Sequence, residues 1–166
     1  LVMVSPSDND LILGGSEERR RFIDVTISQH DKEYLNQLIA YDKALQQRNA
    51  LLKQEEEPDP ELLNLWEELM AQSGEIIYQR RKSFIERLTP IFQEFYSQIS
   101  EEREAVSLSY ISHGERGQLL DVIRDGRAKD RIMGHTLHGT HKDDLIMQLG
   151  NYPIKREGSQ GQNQTY

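Results

Sequence analysis

Two long stretches of helical periodicity meet at a short acidic, proline-bearing turn, and this constrains the chain more than any other feature. Leu35, Leu38, Ile39, Asp42, Leu45, Asn49 and Leu52 recur at steps of three and four, which places them on one face of a helix. The same period runs through Leu62, Trp66, Leu69, Ser73, Ile76, Ile77, Arg80, Phe84 and Leu88. Between them, Glu55-Glu56-Glu57-Pro58-Asp59-Pro60 supplies a stop, a turn and a new start. Asp59 can cap the second helix, and Pro60 suits a first helical position because its missing N–H would be unpaired there anyway. A helix stripe of this kind needs cover, and so short a turn brings the two stripes antiparallel. The expectation is a helical hairpin, its first helix capped by Asp31 and its second kinked or broken at Pro90. Past Pro90 the residues Ile91, Phe92, Phe95, Tyr96 and Ile99 continue an amphipathic face.

The flanks are mixed. Ser16 can cap a helix whose first turn carries Glu17 and Glu18, running through Arg19 to Ile23 and ending near Gln29-His30. Leu1 to Val4 has the form of a buried strand, followed by a turn at Ser5-Pro6-Ser7-Asp8. Val106 to Tyr110 alternates with the period of a half-buried strand. A short helix is expected around Leu119, Leu120, Val122 and Ile123, closed by Asp125-Gly126. After Gly134 the pattern returns to strands: Leu145 to Leu149, a Gly150-Asn151 turn, then Tyr152 to Lys155 as a hairpin with Pro153 on an edge. The fold class expected is α+β, mainly α, with an antiparallel helical-hairpin arm and a few β-strands. The domain reading is a strand and turn over 1–15, a helical arm over 16–105 and a mixed α/β return segment over 106–166. With 36% apolar and 29% charged residues, much of the helix surface is expected to be solvated.

Whole classes of function are disfavoured. The chain has no cysteine, so neither a disulfide framework nor a thiolate metal site is available, and a cytoplasmic setting is expected. No apolar run is long enough to span a bilayer, and Leu1-Val2-Met3-Val4 lacks the basic start of a signal peptide. A net charge of -8 opposes a freestanding nucleic-acid binder, so DNA contact should be local or shared. The chain opens on an apolar stretch without an initiator methionine and stops at Thr165-Tyr166, where a helix could start, which is expected of a piece of a longer chain.

Several constellations could carry chemistry. His135, His138 and His141 lie near Asp143 and Asp144, but in an extended strand His138 would point away from the other two, so a polar loop is expected and no metal. The stretch from Gly158 to Thr165 is either a Gln- and Gly-rich tail or an anion-binding loop, in which a serine hydroxyl and glycine N–H groups hold a phosphate before a helix. Arg19-Arg20-Arg21 and Arg80-Arg81-Lys82 could meet DNA phosphates, although both clusters sit among acids and ion pairing competes. There is no nucleophile elbow and no G-x-x-x-x-G-K-[ST] phosphate loop, so no catalytic residue is assigned.

Taken together, several segments resemble the RecF family, within the ABC-type ATPases that include the SMC proteins. They are Ser5-Pro6-Ser7-Asp8, the run from Gly15 to Asp24, the run from Tyr41 to Lys53 with Gln47-Arg48-Asn49 inside it, and Leu65-Trp66. Asp130, Gly134, Thr136 and the run Gly139-Thr140-His141-Lys142-Asp143-Asp144-Leu145 are similar to the family's Gly-Pro-His-Arg-Asp-Asp segment, with Thr140 in place of proline and Lys142 in place of arginine. Ser159-Gln160-Gly161-Gln162 resembles the ABC signature, which favours the anion-binding reading of that loop.

The resemblance implies lobe II of an ABC/SMC-like ATPase whose parent is a P-loop α/β protein. It implies an ATP-dependent homodimer, head to tail, in which Ser159 and Gly161 contact the terminal phosphate of ATP held by the partner while Gln160 and Gln162 shape the loop. His141, Lys142, Asp143 and Asp144 would support the nucleotide site. ATP and Mg2+ belong to the intact parent. The phosphate-binding loop would precede Leu1 and the acidic metal-holding segment would follow Tyr166, so no ATPase activity is expected of this chain alone. Partners implied are duplex DNA at gaps and junctions, RecO and RecR, and indirectly the recombinase RecA. The competing class is a helical interaction module with no nucleotide role.

Overall fold

In the computed structural model, residues 14–99, 106–149 and 152–153 are described. In order they form α1 (Ser16–Ser28), α2 (Lys32–Lys53), α3 (Pro60–Ile99), β1 (Val106–Ile111), a 3-10 turn at His113–Arg116, α4 (Leu119–Asp125), α5 (Arg127–Met133), a second 3-10 turn at Thr140–Lys142, β2 (Asp144–Leu149) and β3 (Tyr152–Pro153). The chain divides into two compact units, one drawn from Ile27–Arg80 and Ser112–Asp143, the other from Leu1–Thr26, Arg81–Ile111 and Asp144–Tyr166. The expected strand at Leu1 to Val4 and the signature loop lie outside the described residues.

The first unit is the hairpin with a cap of short helices. Asp31 caps α2, its carboxylate accepting the Tyr34 N–H at 3.0 Å, and Asp59 accepts the Glu61 N–H at 2.9 Å where Pro60 opens α3. Both starts were legible from residue type. The faces that turn inward were not. Tyr34, Tyr41, Ala44, Arg48 and Leu52 are buried on α2, and Leu63, Glu67, Met70, Ser73, Ile77 and Tyr78 on α3, while Leu35, Ile39, Leu62 and Leu69 stay exposed. Each buried stripe is therefore rotated around its helix from the leucine-based expectation. The reason is that the inner faces are organised around the charged residues Arg48 and Glu67, which pair inside at 3.0 Å.

Short helices α4, through Leu119 and Ile123, and α5, through Asp130, close over this face. At Gly74 an added Cβ would fall 2.5 Å from Leu119 and 3.2 Å from Tyr41, so glycine there permits the close approach. Helix α5, which the sequence reading did not foresee, ends at Gly134, whose φ of 79 is left-handed and whose N–H donates to the Asp130 carbonyl at 2.7 Å. The segment that follows is loop and 3-10 turn, in line with the polar loop expected for the histidines.

In the second unit α1 begins one residue earlier in its capping than expected. The Glu18 carboxylate reaches back to accept the Gly15 N–H at 2.9 Å, and the Gly15 carbonyl accepts from the Arg19 N–H. The sheet is three-stranded and antiparallel in the order β1-β2-β3, with Val106 opposite Leu149 through to Ile111 opposite Asp144. β3 pairs with β2 alone, through Gln148 with Pro153 and Leu149 with Tyr152, which puts Pro153 on the edge as expected. Phe92, Tyr96 and Leu108 pack around buried Met147. Of the kink or break expected at Pro90, the break does not occur: α3 runs through it. The lost backbone hydrogen bond is outweighed by side chains past it that pack on the sheet, and Thr89 Oγ1 adds a bond of 2.8 Å to the Ile85 carbonyl.

Candidate functional site

The densest polar constellation begins at Arg48, which is fully buried. Its guanidinium donates to Glu67 at 3.0 Å, to Asp130 at 2.8 Å, to the Thr136 hydroxyl at 2.9 Å and to the Ile123 carbonyl at 3.4 Å. Asn49 beside it accepts from the Thr136 N–H at 2.8 Å and from its hydroxyl at 2.7 Å. Asp130 accepts a further bond from the Leu137 N–H at 3.2 Å. Burial raises the Glu67 carboxyl, but bonds and charges from Arg127 and Arg48 outweigh it and hold the group below its ordinary value. The segments Gln47-Arg48-Asn49, Asp130, Gly134 and Thr136, far apart in the chain, are thus brought into one knot that pins the loop after α5 to the hairpin. The sequence singled out these residues only as a resemblance; that Glu67 is their buried counter-charge had no local signal.

The loop so pinned leads into Gly139-Thr140-His141-Lys142-Asp143. Gly139 has φ 147, and a Cβ there would run into the Tyr41 hydroxyl and the His141 ring. His141 bridges two groups: its Nε2 lies 3.0 Å from the Thr136 carbonyl, which can only accept, so the proton is on Nε2 and Nδ1 accepts from the Tyr41 hydroxyl at 2.8 Å. Asp143 is buried and accepts from the Ser112 hydroxyl at 2.7 Å and the His113 N–H at 2.8 Å. In the sheet unit, Asp144 pairs with buried Arg19 at 2.8 Å. Of the four residues expected to support a nucleotide, three are therefore engaged in holding the segment in shape, and Lys142 is exposed. Among the described residues no group of three histidines or carboxylates is arranged to hold a metal ion.

The basic clusters separate in the same way. Arg19 is buried on Asp144, and Arg81 is buried with both its Nε and Nη2 on Asp24, at 3.0 and 2.9 Å. Both guanidinia are thus committed to ion pairs within the fold. Arg80, half-buried, is held by Asp31 and by Glu33 at 2.9 Å, and those two carboxylates raise its already high pKa. Arg20 donates to Ser16 at 3.0 Å. Arg21 and Lys82 are exposed. Ser159, Gln160, Gly161 and Gln162 lie outside the described residues.

Comparison with known proteins fits this assembly of segments. No family model matches the chain. The "DNA replication and repair protein RecF" of Phocaeicola vulgatus is 62% identical over 166 residues, covering 100% of this chain and 45% of the relative. That of Bacteroides fragilis strain ATCC 25285 is 59% identical with the same coverage. A solved structure described as "the recombination mediator protein RecF-ATPrS in RecFOR pathway" superposes with a TM-score of 0.85 at 29% identity, covering 98% of this chain and 46% of that one. A second, with ATP, gives 0.85 at 30% identity. The chain thus spans about half the length of the relatives it matches.

Proposed function

This chain belongs along its whole length to the RecF family, and from that premise we propose that it forms the helical arm and return segment of an ATP-dependent DNA-binding clamp in recombinational repair. The observation that carries the reading is the agreement, over 98% of the chain, with the fold of a RecF solved with an ATP analogue. The hairpin is then the arm, divided from the other segments as the sequence reading has it: core strand and turn over 1–15, arm over 16–105, return segment over 106–166. The Arg48 knot supports this reading, because it joins the hairpin to the segment that leads toward Ser159-Gln160-Gly161-Gln162.

On this proposal the full-length protein binds ATP with Mg2+ and dimerises head to tail, Ser159 and Gly161 meeting the terminal phosphate held by the partner copy. Water attack and metal binding belong to segments other than the described ones, so this chain by itself turns over no ATP. Duplex DNA at gaps and junctions, RecO and RecR are the partners, with RecA loading downstream. A serine hydroxyl and backbone N–H groups suit a terminal phosphate because each donates to an oxyanion without adding a competing charge.

Light scattering of the full-length protein with and without ATP tests this. Dimerisation of the wild type that is lost in Ser159→Arg supports the trans-acting loop, since a guanidinium side chain would fill the space of the phosphate. Equal behaviour of the two removes the loop from the nucleotide site and leaves a helical interaction module.

A further inference from the structure

In the hairpin unit most arginines are paired: Arg48, Arg80, Arg124, Arg127 and Arg131 all have acidic partners. Arg116 and Lys142 are different. Both are exposed, and among the described residues neither has a hydrogen-bond or ion-pair partner. Arg116 ends the 3-10 turn His113–Arg116, and Lys142 ends the turn Thr140–Lys142, which packs against it.

His113 completes the group. Residues three apart on a 3-10 helix lie one above the other, so His113 and Arg116 share a face. The Gly139 N–H donates to His113 Nδ1 at 3.0 Å, and because a backbone N–H can only donate, the ring proton is on Nε2. The remaining ring nitrogen is therefore a donor. The His138 ring lies tilted against it, centroids 5.5 Å apart, with its buried Nδ1 unpartnered. Burial, then Arg116, His138 and Lys142, push His113 down to about 4, so the ring is neutral at neutral pH. Two unpaired cations and an N–H donor are thus held together by a rigid backbone in a chain of net charge -8. Like charges on neighbouring turns repel unless an anion lies between them, and the two carboxylates of these turns are engaged elsewhere, Glu115 with the Tyr78 hydroxyl and Asp143 with the Ser112 hydroxyl and the His113 N–H.

We propose that His113, Arg116 and Lys142 form a docking site for one phosphate of a duplex DNA backbone. The anion is a backbone phosphate because Arg116 and Lys142 are surface groups on adjoining turns, suited to an oxyanion presented from outside and carrying no base recognition. The inference rests on the reading of the full-length protein as a binder of duplex DNA.

The test is fluorescence anisotropy of a labelled duplex with the full-length protein over a series of salt concentrations. Arg116→Gln, Lys142→Gln and their combination are compared with wild type and with Lys129→Gln, an exposed control. Each of the first two should weaken binding about fivefold and make the slope of log affinity on log salt shallower, and the double variant should lose roughly 0.9 of slope in all, the share of one phosphate. Light scattering with ATP should be unchanged in Arg116→Gln and Lys129→Gln. Slopes equal to wild type would overturn the site while leaving the DNA-clamp reading intact. Loss of ATP-dependent dimerisation in Lys142→Gln would overturn it too, by assigning the lysine to the nucleotide. A wild type that binds no duplex would remove both readings together.

Discussion

Replacing Arg48 by methionine keeps most of the side-chain volume and removes the charge from the centre of the knot. Glu67 and Asp130, both fully buried, then lose a partner each at 3.0 and 2.8 Å, and Thr136 loses its donor. Glu67 keeps Arg127 and Arg124, so it remains partly compensated. Asp130 keeps only the Leu137 N–H and becomes a buried carboxylate without a counter-charge. Removal of one member of a buried ion pair costs about 3–5 kcal/mol, most of it the desolvation of the partner left behind. Against a total stability of about 5–15 kcal/mol this is a large share. Urea unfolding can be followed through Trp66, the chain's one tryptophan, which lies on α3 next to Glu67. With a slope of about 2 kcal/mol per molar, the midpoint should fall by roughly 2 M. Arg48→Lys should recover little, because a single ammonium cannot reach all four acceptors that the fork of the guanidinium serves. A double-variant cycle with Asp130→Asn locates the effect: the second substitution should cost much less in the Arg48→Met background than in wild type. A midpoint shift under about 0.5 M for Arg48→Met would refute the reasoning, since only a solvated or unpaired arginine is lost with so small an effect.

Two further outcomes follow from the geometry. Gly74→Ala should destabilise the hairpin unit by about 1–3 kcal/mol in the same urea assay, because the added methyl meets Leu119 and Tyr41 and forces the short helix away; an unchanged midpoint would mean that α4 does not pack there. His113 supplies the pH dependence. Its folded pKa, about 4, lies below the ordinary 6.5, so the unfolded chain binds the extra proton and stability present above pH 6.5 is lost as pH falls toward 4. The slope attributable to it is at most about 1.4 kcal/mol per pH unit. His113→Asn should flatten stability in that window relative to wild type, whereas Glu67, whose pKa is also depressed, acts below its ordinary 4.5 and should leave that lower limb in place.

The starts and ends of the helices were legible because they depend on local chemistry. Asp31, Asp59 with Pro60, and the alternating run of β1 act through neighbours a few residues away, and the expected elements stand where those residues put them. Pro153 at the sheet edge was legible for the same reason: a missing N–H is a property of the residue. Pro90 shows the limit, since the local rule for ending a helix was overridden by Phe92 and Tyr96 packing on Met147.

What the sequence by itself determined is therefore most of the elements, though not α5, together with the hairpin and, through resemblance, the set of segments that matter. What tertiary structure decided is which face of each helix turns inward and which charges are taken up by the fold. Periodicity ranks side chains by apolarity and sends arginine and glutamate outward. Yet Arg48, Glu67, Asp130, Arg19 and Arg81 are inside, because a charge can be buried once its counter-charge is within hydrogen-bond reach, and for Arg48 and Asp130 that partner lies 82 residues away in the chain.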